Sequence, residues 1–322
     1  MRAPIAVSCG CPSGVGVEIA VRAAARTRAR VVLVGDARQI AETAARLGVT
    51  LASTVTVSQP VRALAPRDRR PGAPSQAGGR AQLAYVDHAL DLVTSGHARA
   101  LATGPVSKEA IATSGAAGAA GFRGHTEHLQ ARLGADEVVM AFVSKRLATS
   151  LVTTHLPLAE VPRAITPASV ASATFWLASL LRRLRPEGRL RVAVAGLNPH
   201  AGEGGLLGDE EARVIAPGVA TAARRAAAAG LGGVSLEGPI GAETAYRLAA
   251  RGELAGVVAM YHDQATVPMK LLSFGDAVNI SLGLPIVRTS VDHGTGYDKA
   301  GTGTADPRGM LSALRLADAL TR

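Results

Sequence analysis

Three histidines stand in comparable places. His155, His200 and His262 each follow an apolar run rich in Val and Ala, at 147–153, 191–195 and 256–260. Imidazole is the commonest divalent-metal ligand. No H-x-x-H or H-E-x-x-H spacing puts two of them on one helix face. A shared metal therefore requires three separate strand ends to converge. Taken singly, each is read as a hydrogen-bonded structural histidine. Taken together, they read as a three-imidazole site with positions open for a substrate oxygen, which a metal can polarise. The residues alone leave both readings open.

Other polar residues collect behind similar runs. The run 98–102 leads into Thr103-Gly104-Pro105-Val106-Ser107-Lys108, and 286–290 leads into Val291-Asp292-His293-Gly294-Thr295. In Phe122-Arg123-Gly124-His125-Thr126-Glu127, His125 and Thr126 precede an amphipathic pattern and could donate to a phosphate or carboxylate at a helix N-terminus. Thr126 as a plain cap is the other reading. Lys270, Asn279 and Arg288 supply an ammonium, an amide and a guanidinium. They suit an anion, or surface salt bridges. The stretch 292–306 is rich in Gly, Thr and Asp, a composition that lets backbone approach a ligand. Near the start, Cys9-Gly10-Cys11-Pro12-Ser13-Gly14-Val15-Gly16 lies between a strand pattern and a helix pattern. That is the context of a dinucleotide fingerprint, and it also holds both cysteines of the chain, but the third glycine is missing.

The elements that must position these residues alternate. Val- and Ala-rich runs at 5–7, 31–34, 98–102, 147–153, 191–195, 256–260 and 286–290 predict buried strands. Stretches at 82–94, 167–184 and 209–229 predict helices, the last with acids at 209–211 and Gly230 as its stop. This alternation predicts an α/β fold, a mainly parallel sheet covered by helices. Ligands of such sheets bind beyond the carboxyl ends of the strands, where four of the eight histidines fall. The segment 60–80 reads as an exposed loop. At 322 residues, 48% hydrophobic and 19% charged, the chain is globular and long enough for two lobes. Its net charge of +10 comes mainly from Arg in short clusters without interleaved aromatics. That argues for a solvated basic surface and against a nucleic-acid binder. No run is long enough for a membrane span. Two cysteines and no signal-peptide pattern fit a cytoplasmic protein.

Several motifs then occur in order: Gly-His-Thr-Glu at 124–127, Thr-His-Leu-Pro at 154–157, Gly-Leu-Asn-Pro-His-Ala-Gly-Glu at 196–203 and Tyr-His-Asp-Gln at 261–264. Val-Asn-Ile-Ser-Leu-Gly-Leu-Pro at 278–285, Arg-Thr-Ser-Val-Asp-His-Gly-Thr at 288–295 and Ala-Gly-Thr-Gly at 300–303 follow. Together they resemble the 4-hydroxythreonine-4-phosphate dehydrogenase family, PdxA, of pyridoxal phosphate biosynthesis. The resemblance runs from about residue 5 to residue 315.

The resemblance implies two α/β/α lobes like those of isocitrate and isopropylmalate dehydrogenases, with the active site in the cleft between them. The lobes are expected at 1–120 with 286–322, and at 121–285. It implies oxidation of 4-phosphooxy-L-threonine by NAD, with NADP the alternative, to a β-keto acid that decarboxylates to 3-amino-2-oxopropyl phosphate. A divalent metal (Zn, Co, Mn, Mg or Ni) is implied on His155, His200 and His262, with one ligand from the second subunit of a homodimer. His125, Thr126, Lys270, Asn279 and Arg288 match substrate-binding positions. Lys270 is the implied proton carrier, and Asp263 the residue that tunes a ligand or the lysine. Asp292, His293, Gly294, Thr295 and Gly301 fall in the implied cofactor loop. The chain departs from the family pattern at Cys11, where Asp is usual, at Val17 and Arg123, where Pro is common, and at His128, where an apolar residue is common. These departures bring in a second substrate reading, 4-phospho-threonate or 4-phospho-erythronate.

Overall fold

Eleven short strands carry the fold of the computed structural model, which describes residues 2–322. They are β1 (Ile5–Ser8), β2 (Val31–Val34), β3 (Val55–Ser58), β4 (Ala100–Thr103), β5 (Val139–Val143), β6 (Ala148–Leu151), β7 (Leu190–Ala195), β8 (Val234–Ile240), β9 (Gly256–Ala259), β10 (Val278–Leu282) and β11 (Arg288–Val291). All seven runs expected as strands are strands. The chain divides into two units, Met1–Asp136 with Leu284–Arg322, and Glu137–Gly283.

In the first unit the strand order is β3-β2-β1-β4-β11, and every recorded pairing is parallel. β1, β2, β4 and β11 are buried at every residue; the first three are the apolar runs expected of a covered parallel sheet, and β11 buries Arg288, Thr289 and Ser290. Ile5, Val7, Val31, Leu33, Ala100 and Ala102 pack with helices Gly16–Ala24 and Arg308–Leu320 in one core. Helix Gln76–Thr94 lies against β1, β2 and β4. Its start lies within the segment 60–80, where an exposed loop is expected. Ser75 makes that start by accepting the Gly78 N–H at 3.0 Å, an N-cap.

The first boundary falls at residue 136, not 120. The cause is helix His125–Leu133. Its His128 ring meets the Asp87 carboxylate at 2.7 Å, and its Arg132 donates to Asp87 and Asp91 at 2.6 and 3.0 Å, both acids on helix Gln76–Thr94. Phe122 just before it joins Leu83 and Ile111 in a small apolar cluster.

In the second unit the order is β10-β5-β6-β9-β7-β8. The β10–β5 and β5–β6 pairs are antiparallel, and the rest are parallel. Helix Pro167–Leu184 starts as the sequence predicts. Thr166 and Ser169 cap each other's backbone N–H at 3.1 and 3.0 Å, and Pro167 needs no donor at N1. The helix expected over 209–229 is a π-turn at Glu211–Ile215 continuing into Ala216–Ala228. Pro217 cannot donate to the carbonyl four residues back, and the preceding turn widens. Among the described residues no single helix is long and apolar enough to cross a membrane.

Candidate active site

β6 and β9 are parallel neighbours with Leu151 opposite Ala259, so both chains leave the sheet at one edge. Val152 N–H donates to Ala259 O at 2.9 Å and Thr153 Oγ1 donates to Met260 O at 2.7 Å, which carries the pairing past the strand ends. His155 and His262 follow, with ring centroids 5.4 Å apart. His262 opens helix His262–Ser273, and its Nδ1 lies 2.7 Å from Asp263 Oδ1. A carboxylate there accepts the Nδ1–H, which keeps the proton on Nδ1 and leaves the Nε2 lone pair for a metal. Gln264 accepts from Met260 N–H at 2.6 Å and donates to Gly196 O at 2.8 Å, tying the end of β9 to the end of β7. Lys270 is exposed eight residues along the same helix, about 12 Å by the helical rise. On β10 the Asn279 side-chain oxygen is shut off from solvent without a hydrogen-bond partner among the described residues.

His200 is placed differently. It follows β7 on an exposed turn whose residues 200–204 all have left-handed dihedrals, with φ of 53°, 53°, 81°, 45° and 66°. Left-handed residues cost about 1–2 kcal/mol each unless glycine, and three of these five are not. Among the described residues no group of three or more His, Cys, Asp or Glu could hold a metal ion. The chain thus brings two of its three candidate imidazoles together. That pair, with a carboxylate behind one ring, suits a divalent metal that takes further donors from outside it.

The first unit gathers positive charge. Arg288 opens β11 at 3% exposure and donates to Thr103 Oγ1 on β4 at 2.7 Å. Burial pulls its pKa down to about 10, and the nearby Glu127 opposes the fall, so the guanidinium stays charged at pH 7. His125 begins helix His125–Leu133 beside it. Burial holds the His125 pKa well below 6.5, and the charges of Arg288, His128 and Lys108 push the same way. The imidazole is neutral at pH 7, and its Nε2 is solvent-shielded and unpartnered. Thr126 is next on the helix. At Gly124 a Cβ would stand 2.8 Å from Glu127 Oε2 and 3.7 Å from Lys108 Nζ, so the Glu127 and Lys108 side chains close over the helix entry. Arg288 and the neutral His125 thus bring a guanidinium and an imidazole close together, groups that suit a phosphate or carboxylate.

The loop 292–306 also lies in this unit and is firmly anchored. Thr295 O accepts from Val15 N–H at 2.9 Å, and His293 Nδ1–H donates to Gly294 O at 2.9 Å. Gly301 gives its N–H to Glu18 at 2.8 Å and its carbonyl to Arg46 at 3.0 Å. With φ at +80° and Pro71 2.7 Å from where its Cβ would be, Gly301 is glycine for packing. Asp292 directly follows β11. The Cys9–Gly16 loop turns inward. Cys9 is fully buried, with its thiol pushed up to about 12, and Cys11 is raised by burial too. Cys11 Sγ lies 3.6 Å from Tyr297 Oη. Neither thiol is a metal-ready thiolate. Thr103, Gln264, Asn198 and Glu211 are site-building residues that the sequence reading missed. Glu211 carried one signal: it ends an acidic run just past a glycine-rich turn, but that also fits a helix start.

A mainly parallel α/β chain with a buried Arg288–His125 cluster in one unit and a carboxylate-backed imidazole pair in the other has polar groups of the kind that bind an anionic metabolite. The family model "Pyridoxal phosphate biosynthetic protein PdxA" matches residues 26–317, and the chain belongs to that family. It is 40% identical over 335 residues to 4-hydroxythreonine-4-phosphate dehydrogenase of Geobacter metallireducens, covering 99% of this chain and 95% of that one. The structure of 4-hydroxythreonine-4-phosphate dehydrogenase from Klebsiella pneumoniae superimposes with a TM-score of 0.82 at 34% identity, covering 100% of both chains. The β-decarboxylating dehydrogenase of Thermococcus kodakarensis matches with a TM-score of 0.52 at 12% identity, over 99% of this chain and 84% of that one, a likeness of fold alone.

Proposed function

We propose that this chain is a nicotinamide-dependent, divalent-metal-dependent dehydrogenase that oxidises 4-phosphooxy-L-threonine and prepares the β-keto acid product for loss of CO2. NAD is the expected oxidant, with NADP the alternative. The observation that carries the reading is the Arg288–His125 cluster, a buried positive site with an unpartnered donor, built for phosphate or carboxylate. Arg288 and Thr126 hold an anionic end of the substrate, and neutral His125 donates its Nε2–H to it. Asn279 and Lys270 are the further substrate contacts that the family resemblance implies. His155 and His262 hold the metal, with His200 as the third ligand from a second copy. When bound, the metal supplies a Lewis acid at the C3 oxygen and later at the ketone. Asp263 fixes the tautomer and direction of the His262 ring. Lys270 takes the hydroxyl proton as hydride leaves C3 for the nicotinamide, and returns a proton to the enol left by decarboxylation. The loop 292–306, with Asp292, His293, Gly294, Thr295 and Gly301, takes the adenosine side of the cofactor.

A homodimer is part of the same reading. Leu158, Leu206, Leu271 and Phe274 of the second unit are 69%, 83%, 81% and 78% exposed. Apolar side chains so placed mark an interface, and two of them flank candidate ligands: Leu206 stands in the His200 loop and Leu158 just past His155.

A second substrate reading has its own observation. Cys11 stands where the family motif carries Asp, and its raised pKa keeps the thiol uncharged. The loop thus lacks a carboxylate that could pair with a substrate ammonium. That favours a phosphorylated hydroxy acid without an amino group, 4-phospho-threonate or 4-phospho-erythronate. Steady-state rates with NAD, added Zn or Co, and a panel of these substrates test both. A kcat/KM more than tenfold higher for 4-phospho-threonate, about 1.4 kcal/mol in transition-state binding, overturns the first reading in favour of the second. No NADH or NADPH from any of them rejects the dehydrogenase itself.

A further inference from the structure

His200 sits on the most strained backbone of the chain, and the geometry identifies what holds it there. Residues 200–204 form one left-handed turn in which His200, Ala201 and Glu203 carry side chains. Such a turn persists only where its surroundings over-determine it. Glu211 supplies that constraint. Its carboxylate is buried and sits inside the loop. Oε1 accepts from Leu197 N–H at 2.8 Å and from Asn198 N–H at 2.7 Å, and Oε2 accepts from Asn198 Nδ2 at 3.0 Å. Asn198 Nδ2 also donates to Glu210 at 2.7 Å, and Ala201 N–H donates to Asn198 O at 3.1 Å. The fit is close on the far side too: a Cβ on Gly202 would stand 2.8 Å from Glu211 Oε2, and one on Gly196 would stand 3.1 Å from Oε1. Glu211 begins the π-turn that leads into helix Ala216–Ala228, so a regular element anchors the carboxylate.

We propose that Glu211 is a positioning residue for His200. Its carboxylate fixes residues 196–202 so that the left-handed turn presents the imidazole outward, toward a second copy, without touching metal or substrate. Metal binding by the assembled protein then depends on a glutamate that is not a ligand. The proposal rests on the reading of His200 as a metal ligand in the dimer.

The test uses Co2+ affinity of the full-length protein by competition with a chelator, sedimentation velocity, and hydrogen exchange of the amides. His200→Ala sets the scale of a lost ligand. Glu211→Ala is expected to weaken Co2+ binding tenfold or more while the dimer remains. Amides of Leu197 and Asn198 exchange faster in that variant, and the rest of the second unit is unchanged. Glu211→Gln keeps one acceptor oxygen and recovers most of the affinity. Gly202→Ala drives a methyl toward Oε2 and loses affinity with the carboxylate still present. Unaltered Co2+ affinity in both Glu211→Ala and Gly202→Ala overturns the proposal. Loss of affinity accompanied by dimer dissociation, or by faster exchange throughout the unit, also overturns it, since a merely structural glutamate acts that way. If the unaltered protein binds no Co2+, the ligand reading of His200 falls. Exchange at Leu197 and Asn198 still decides the role of Glu211, and unchanged protection in Glu211→Ala rejects it.

Discussion

Arg288 and His125 are the buried polar groups on which the proposed anion site rests. A guanidinium matches phosphate or carboxylate with paired donors, which an ammonium cannot do. Arg288→Lys is therefore expected to raise KM for the phosphorylated substrate by tenfold or more, about 1.4 kcal/mol, with kcat changed less. Steady-state kinetics would check this. His125 carries a pH signature. Its pKa in the folded chain lies well below 6.5, so below pH 6.5 the unfolded chain binds a proton that the folded chain does not. Stability thus falls as the pH drops from about 6.5 toward the folded value. Urea midpoints at pH 7.5 and 5.5 are expected to differ more in the unaltered protein than in His125→Gln. Asp263→Asn leaves the His262 ring without its carboxylate and is expected to weaken metal binding about 10- to 100-fold, read by chelator competition. The site histidines were legible because a rare residue recurred after buried runs. Thr103 and Gln264 were not, because a threonine or glutamine in a strand-end loop looks the same whether it bonds an arginine, a neighbouring strand or water.

Elements follow from the sequence where a buried face leaves a periodic mark. β1, β2 and β4 are apolar at nearly every position because both faces are covered, and the sequence predicts them. β3, β5, β8 and β10 were not foreseen. β3 and β8 are edge strands, partly exposed, so their apolar residues are interrupted. β5 and β10 pair antiparallel, no helix separates β5 from β6 or β10 from β11, and Asn279 and Ser281 break the apolar run of β10. Close helix packing was equally hidden. A Cβ on Gly79, inside helix Gln76–Thr94, would stand within bonding distance of Ala110 O on helix Lys108–Ala112. Helix propensity alone makes Gly→Ala stabilising by about 1 kcal/mol. Here overpacking dominates, and Gly79→Ala is expected to lower stability by about 1–3 kcal/mol, seen as a lower urea midpoint with an unchanged m-value.

For the whole molecule, charge and exposed apolar surface point in different directions. The +10 charge is carried mostly by arginines, some of them paired with acids, such as Arg99 with Asp318 and Arg225 with Glu137. It calls for no polyanionic partner. Leu206, Leu271 and Phe274 are exposed, and they are the surface that the proposed homodimer would bury, at about 25 cal/mol per Å² of apolar area. Leu271→Asp with Phe274→Asp is expected to turn a dimer into a monomer by sedimentation, and to remove oxidation activity with it. An unchanged dimer would place the interface elsewhere. No single-chain pattern could reveal this surface, because an apolar residue in a helix reads as core until the fold is closed around it.

The two inward-facing cysteines make the protein its own chemical clock. Both thiols are shielded and protonated, so a thiol reagent such as iodoacetamide finds no thiolate in the closed state. Alkylation then reports how often the loop after β1 opens. The same loop lies against Thr295 of the candidate cofactor segment, so a bound dinucleotide should slow the labelling, giving an assay of occupancy that requires no turnover.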